Sequence, residues 1–319
     1  MTGGTARVTV RVPATSANLG PGFDTLGLAL GLHDEIEAEI SDSPGIDIAV
    51  EGEGAGELDP GEGHLVVSTM RATFDRMGLA QPRGIRLRCL NRIPHARGLG
   101  SSSAAICAGI LAARALAATP YAGNPRPGGD HPPELTDDDA LALATGIEGH
   151  PDNVAPCLAG GLTVAWTDPG GVPHLVRLLP HEAVRPVVLV PAHRLSTETA
   201  RGLLPKDVPH ADAAANAGRA ALLIAALTAR PEPELLLAAT EDRLHQDYRA
   251  PAMPHTAELV RRLRRAGVAA VVSGAGPTVL ALSTMNTQDL IAPEVGNDWH
   301  IQPLDVETRG ARVVSPETR

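Results

Sequence analysis

The clearest pattern in the chain is a strict alternation near its start. Val8, Val10 and Val12 fall on one side of the segment from Arg7 to Pro13, and Arg7, Thr9 and Arg11 on the other. A period of two predicts a strand with one buried face. Ile36, Ala38 and Ile40 alternate with Glu35, Glu37 and Glu39 in the same way, and Ile85, Leu87 and Cys89 alternate with Arg86 and Arg88. Such polar outer faces point to an antiparallel or mixed sheet with one wet side, because strands of a doubly wound parallel sheet are apolar on both faces.

Helical spacing takes over later. Ser101 to Ala118 predicts a helix, and Thr136 with Asp139 reads as an N-cap and a variant capping box for another running to about Ile147. Ala211 to Leu227 and Glu234 to Leu244 predict two more. Thr256 to Ala266 carries apolar residues at helical spacing and ends at Gly267, a residue suited to the position after a helix. Val268 to Ser273 and Val279 to Leu282 read as short strands around the turn S-G-A-G-P-T. Thr119 to Pro133 is rich in proline and glycine and predicts an exposed loop. With no long linker and no internal repeat, the expected organisation is an α+β chain of two lobes, residues 1–165 and 166–319, the division falling shortly before the apolar run Val187 to Val190.

Composition narrows the function classes. A chain of 319 residues can bury a core in two lobes, and 43% hydrophobic with 20% charged residues is an ordinary globular balance. Aromatic residues make up 2%, so the core must be aliphatic and stacking platforms for single-stranded nucleic acid are missing. A net charge of −10 opposes binding to nucleic acid or to an anionic membrane. No apolar run approaches ~20 residues, and the opening M-T-G-G-T-A-R lacks a signal-peptide core, so a cytoplasmic location is expected. Cys89, Cys107 and Cys157 are widely spaced in apolar sequence, which fits buried thiols better than disulfides or a zinc site.

Chemistry concentrates in P-H-A-R-G-L-G-S-S-S-A-A, Pro94 to Ala105, a glycine-serine loop that opens directly into an apolar helix. Gly98 and Gly100 allow a tight turn and a close backbone approach to a ligand. The serines stand at the first helical turn, where unpaired amides and the positive end of the helix dipole favour an anion, phosphate above all. A Walker-type loop would follow with lysine. The chain holds one lysine, Lys206, in a polar stretch far from this loop. A bound nucleoside triphosphate must therefore be held mainly by backbone amides, hydroxyls and a metal. Three other clusters punctuate the chain: P-A-T-S-A-N-L-G-P-G-F-D at Pro13 to Asp24, E-G-H-P-D-N at Glu148 to Asn153, and S-G-A-G-P-T at Ser273 to Thr278.

In this order and spacing the clusters resemble the GHMP kinase superfamily, and the opening T-S-A-N-L-G-P-G-F-D resembles its homoserine-phosphorylating branch. P-x-x-x-G-L-G-S-S matches Pro94 to Ser102, and D-N-V-A-P matches Asp152 to Pro156. The resemblance runs from about Arg7 to at least Leu282. It implies ATP-dependent phosphorylation of the hydroxyl of L-homoserine, with ATP and Mg²⁺ as cofactors, and it permits a homodimer. It also implies a two-lobed fold, the N-terminal lobe like the second domain of ribosomal protein S5 and the C-terminal lobe ferredoxin-like.

Residue by residue, the resemblance implies an ATP phosphate site made of Pro94, Arg97, Gly98, Leu99, Gly100, Ser101, Ser102 and Ser103. Ser102 and Glu148 would reach Mg²⁺, with the extra serine at Ser103 leaving that choice open by one position. A hydroxyl, a carboxylate and phosphate oxygens form a hard-oxygen set suited to this ion. Asp24, with the amide of Asn18, would pair with the substrate ammonium, and Arg201 and Arg249 with its carboxylate, a task that suits the guanidinium fork. His150 would lie near the hydroxyl. Asp152 would position it and Asn153 polarise it, with no lysine to match the one that mevalonate-kinase-like relatives use. By residue type alone, Glu148 reads as a solvated glutamate at a helix end, either arginine as a surface residue, and His150 as a polar turn residue.

Some positions depart from the family pattern: His64 stands where asparagine is common, on the adenine side, and Asp247 stands in place of a frequent proline. Competing readings are a kinase for another small alcohol, a decarboxylase of the same fold, and a non-catalytic binding protein. A dinucleotide-dependent oxidoreductase is excluded, since Ser103 and Val279 stand where the third glycine of G-x-G-x-x-G belongs.

Overall fold

The structure, a computed structural model, describes residues 7–118 and 134–314. The loop expected at Thr119 to Pro133 lies outside the described residues.

The alternating segments form one sheet. β1 (Arg7–Ala17), β2 (Leu26–Ser41), β3 (Gly45–Gly52) and β4 (Gly84–Asn91) lie in the order β1-β2-β4-β3. β5 (Leu162–Thr167) joins β2, β6 (Pro173–Leu178) joins β5, and β11 (Arg312–Val314) returns from the end of the chain to flank β1. The sheet is mixed: β3 and β4 run parallel and the remaining pairs antiparallel. Register follows the sequence pattern. Val10 faces Ile36, which faces Cys89, and Ala38 faces Leu87, so the apolar sets share the covered side. On the wet side Glu39 accepts from Arg7 at 2.9 Å and from Arg86 at 3.1 Å.

Four helices cover the apolar face: α1 (Leu65–Arg76), α2 (Ser101–Ala117), α3 (Asp137–Glu148) and α4 (Pro151–Ala159). α3 starts with the expected capping box, Thr136 Oγ1 accepting from the Asp139 amide while Asp139 accepts from the Thr136 amide. α1 and α2 pack closely at Gly109, where a Cβ would stand 2.8 Å from Val66 O.

β7 (Arg185–Pro191), β8 (Ala270–Val272), β9 (Val279–Ser283) and β10 (Trp299–Pro303) build a second, antiparallel sheet in the order β10-β7-β9-β8. α5 (Thr197–Arg201), α6 (His210–Thr228), α7 (Pro233–Ala239), α8 (Gln246–Arg249) and α9 (Pro254–Arg265) accompany it. One face of this sheet meets Leu259 and Leu263 of α9 in a separate small core. Its other face, with Val188, Leu280 and Leu282, joins Leu223 and Leu227 of α6 in the main core.

The helix expected over Glu234 to Leu244 stops at Ala239. Thr240 turns its hydroxyl back onto Leu236 O, and the Asp242 carboxylate takes the amides of Leu244, His245 and Gln246, which starts α8 as a separate turn. The division expected near residue 165 falls inside β5. We place it after Leu178, because β5 and β6 are hydrogen-bonded into the first sheet.

Candidate active site

Asp34 fixes where the glycine-serine loop begins. Its Oδ1 accepts the amides of Arg92 at 2.6 Å and Ile93 at 2.9 Å, just beyond the end of β4. Burial pushes this carboxyl up to about 6. The loop then passes through left-handed backbone at Ala96, Gly98 and Gly100, with φ of 54°, 77° and 71°. Glycine is required twice for space as well as angle: a Cβ at Gly98 would stand 2.3 Å from Ser273 O, and one at Gly100 2.0 Å from Thr15 Oγ1. α2 starts at Ser101 with no side-chain cap. Residues 95–98 form a turn, and the amides of Gly98, Gly100 and Ser101 find no acceptor among the described residues, so the loop presents orphan donors at a positive helix end.

The other glycine clusters fold onto this loop. Thr15 of β1 donates its amide to Leu99 O at 3.0 Å, and Gly274 donates to Ala17 O at 3.1 Å. Ser273 Oγ donates to Gly98 O at 2.6 Å and lies 2.8 Å from Ser16 Oγ. A second helix N-terminus arrives from α4, where His150 is the N-cap residue and Pro151 occupies the first turn. The Asn153 Oδ1 accepts from the Thr15 hydroxyl at 2.8 Å, which leaves its Nδ2 free to donate. His150 Nδ1 donates to Asp152 Oδ1 at 2.7 Å, and that bond raises the imidazole above its ordinary value. Asp152 is 2% exposed, so its carboxylate serves the imidazole more than the open space.

Glu148 ends α3, with Gly149 in left-handed backbone at φ 94° behind it. Its carboxylate accepts from Ser102 Oγ at 2.9 Å and from Ser103 Oγ at 3.0 Å. Ser103 is fully buried while Ser102 is exposed. The buried serine braces the glutamate, and the exposed serine shares a face with it. Two hard oxygen donors beside a phosphate loop fit Mg²⁺, which keeps waters and phosphate oxygens in its other positions. No cluster of three or more acidic, histidine or cysteine side chains exists among the described residues to form a cage for another metal.

Opposite lie the charged groups expected to hold an amino acid. Asp24 sits in left-handed backbone at φ 54°, and its amide donates to Asn18 Oδ1 at 2.9 Å. Arg201 clamps its carboxylate at 2.7 Å and 3.2 Å. Arg249 is 1% exposed, its Nη1 donating to His245 Nδ1 and Gly274 O, and its Nε has no partner. His245 in turn donates to Gly20 O at 2.8 Å, and burial lowers it below its ordinary value. The ring of Phe23 lies 5.8 Å from the Arg201 guanidinium and 5.4 Å from that of Arg249.

A cavity of about 260 Å³ collects most of the expected residues: Asn18, Gly98, Gly100, Ser101, Ser102, Glu148, His150, Asp152, Asn153, Arg201 and Arg249 all line it. Asp24 does not, because Arg201 lies against its carboxylate. Leu99 is core, and Ser103 is buried behind Glu148. Arg97 sends its guanidinium to Pro191 O and Ala192 O, tying the loop to the end of β7, and Pro94 lines neither cavity. The sequence reading assigned nothing to Thr15, Phe23 or His245. The signal for Phe23 was composition: the chain has two phenylalanines and places one against both arginines.

A second cavity of about 270 Å³ meets the first at Ser101 and Ser102. Ile36, Leu65, Val66, Cys89 and Ala105 give it apolar walls, with Asp34, Asn91 and His64 among its polar groups. His64 is 5% exposed, and neither ring nitrogen has a partner.

Against known proteins, residues 64–161 match the GHMP kinases N terminal domain and residues 223–300 the GHMP kinases C terminal family. A homoserine kinase from Streptomyces avermitilis is 57% identical over 97% of the chain and 96% of its own length. One from Clavibacter michiganensis is 52% identical over 96% of the chain and 94% of its own. The crystal structure of homoserine kinase from Cytophaga hutchinsonii superposes with a TM-score of 0.79 at 26% identity, covering 97% of each chain.

Proposed function

The chain belongs to the homoserine kinases, a branch of the GHMP kinases, and from that premise we propose that it transfers the γ-phosphoryl group of ATP to the side-chain hydroxyl of L-homoserine, giving O-phospho-L-homoserine on the way to threonine. The observation that carries this reading is the pair of cavities meeting at Ser101 and Ser102. An apolar recess with unpaired polar groups suits a purine, the loop between suits its phosphates, and the charged cavity beyond suits a small zwitterion.

Phosphoryl transfer asks a protein mainly for position and for stabilisation of charge. The amides from Gly98 to Ser101 hold phosphate oxygens. Ser102 and Glu148 would hold Mg²⁺, which supplies charge neutralisation at the transferring group when bound. Arg249 takes the substrate carboxylate and Asp24 its ammonium. His150, oriented by Asp152, and the free Nδ2 of Asn153 meet the reacting hydroxyl, so Asp152 acts through the imidazole. A homodimer and a cytoplasmic location complete the reading, the latter in keeping with three free, buried cysteines.

The test is ADP release with ATP, with and without Mg²⁺, on L-homoserine beside mevalonate, galactose, L-serine and L-threonine. Mg²⁺-dependent turnover with L-homoserine alone is expected. Turnover with a different alcohol would keep the phosphate loop and discard the amino-acid pocket.

A further inference from the structure

We propose that Asp24 and Arg201 stand in for the acceptor in the empty enzyme, each occupying the other's ligand position, so that binding is an exchange of partners. The substrate ammonium replaces Arg201 on Asp24, and its carboxylate replaces Asp24 on Arg201. This deepens the acceptor reading above and rests on it.

Four observations converge. Arg201 lines the acceptor cavity while its ion-pair partner Asp24 does not, so a protein cation already lies against the expected ammonium site. Asp24 is fixed by its own backbone, with φ at 54° and its amide tied to Asn18. Arg201 is the member able to turn: it ends the five-residue helix α5, Gly202 and Leu203 after it are exposed, and its buried Nε bonds to nothing. Arg249 is the fixed second cation, buried and with no carboxylate at ion-pair distance among the described residues. Phe23 under both guanidiniums gives Arg201 a surface to pivot on without losing its ring contact.

The exchange makes charge selection cooperative. A ligand with both signs leaves every charge paired. One with only an ammonium must break the pair and strand Arg201 beside Arg249, a like charge. One with only a carboxylate meets Arg249 but finds Arg201 occupied. The pair is about one-third exposed on each side, so the discrimination from opening it is roughly two- to fivefold, near the upper range for such a pair because the geometry is bidentate.

Removing either partner therefore has opposite effects on whole substrate and fragment. Dissociation constants are measured by NMR titration in Mg·ADP for L-homoserine, 3-amino-1-propanol (the substrate without its carboxylate) and 4-hydroxybutanoate (without its ammonium). Arg201→Gln is expected to weaken L-homoserine at least tenfold and to tighten 3-amino-1-propanol two- to fivefold. Asp24→Asn gives the mirror result, weakening L-homoserine and tightening 4-hydroxybutanoate. The two variants are independent, so either suffices if the other does not fold. A fragment that binds a folded variant no better than the parent, or worse, overturns the exchange. Failure of the parent to phosphorylate L-homoserine would instead sink the acceptor reading, whatever the fragments do.

Discussion

Asp34 gives a stability effect whose size and sign can be worked out. The group ionises at 3.8 when unperturbed and at about 6 here, mainly because burial disfavours the charged form. Between those values the folded state binds more protons than the unfolded state, so this group's contribution falls as pH rises. The ionised carboxylate then costs the folded protein about 3 kcal/mol, from a shift of 6 − 3.8 = 2.2 at 1.36 kcal/mol per unit. The residue is 5% exposed, so solvent screening takes little from that figure. Asp34→Asn keeps an Oδ1 for the amides of Arg92 and Ile93 and removes the charge. Urea denaturation should show the variant more stable by up to about 3 kcal/mol at pH 7.5, and by about half that at pH 5, where the native carboxyl is protonated. Asp34→Ala should go the other way, since it orphans the buried amide of Ile93 and the part-buried one of Arg92. An asparagine variant less stable than the parent at pH 7.5, or a gain that ignores pH, would refute the reasoning.

Other expectations concern the site directly. Gly100→Ala puts a methyl group 2.0 Å from Thr15 Oγ1 in backbone at φ 71°, and a strain of about 1–2 kcal/mol or more should cut kcat/KM for ATP at least fivefold to thirtyfold, measured by coupled ADP assay. Asp152→Asn should lower kcat by less than ~100-fold, because it orients His150; a larger loss would make it an essential base, whose usual share is ~10²–10⁴-fold. Arg249→Met should raise the KM for L-homoserine about thirtyfold or more, the cost of taking the buried guanidinium from the substrate carboxylate, while the KM for ATP changes little.

Much of the sheet could be read because burial on one face writes a period of two into β1, β2 and β4, and the registers match residue for residue. α1 was illegible for a physical reason. Val66, Val67, Thr69 and Thr73 are β-branched and form poor helix on their own; the helix holds because those residues, with Met70 and Phe74, bury against α2. The motifs named most of the cavity wall, since glycine in left-handed backbone and serine at a helix start are local requirements. The pairing of Asp24 with Arg201 could not be seen, because 177 residues separate them and each was assigned to the ligand alone. Charges at one site are first partners of one another, and sequence gives their types without their distances.

That distinction also bears on the absent lysine. Lys206 lines neither cavity, so with ATP bound as proposed no lysine side chain would meet its phosphates. The positive ends of α2 and α4 stand there instead, each equivalent to roughly half an elementary charge and needing no flexible side chain to be ordered. Backbone donors work only at the spacing the backbone dictates. Hence the space around Gly98 and Gly100, occupied by Ser273 O and by the Thr15–Asn153 pair, matters as much to phosphate binding as any charged group. It also ties the two lobes together: the carbonyl that forbids a side chain at Gly98 belongs to the turn between β8 and β9, so a shift of the second sheet moves the phosphate loop with it.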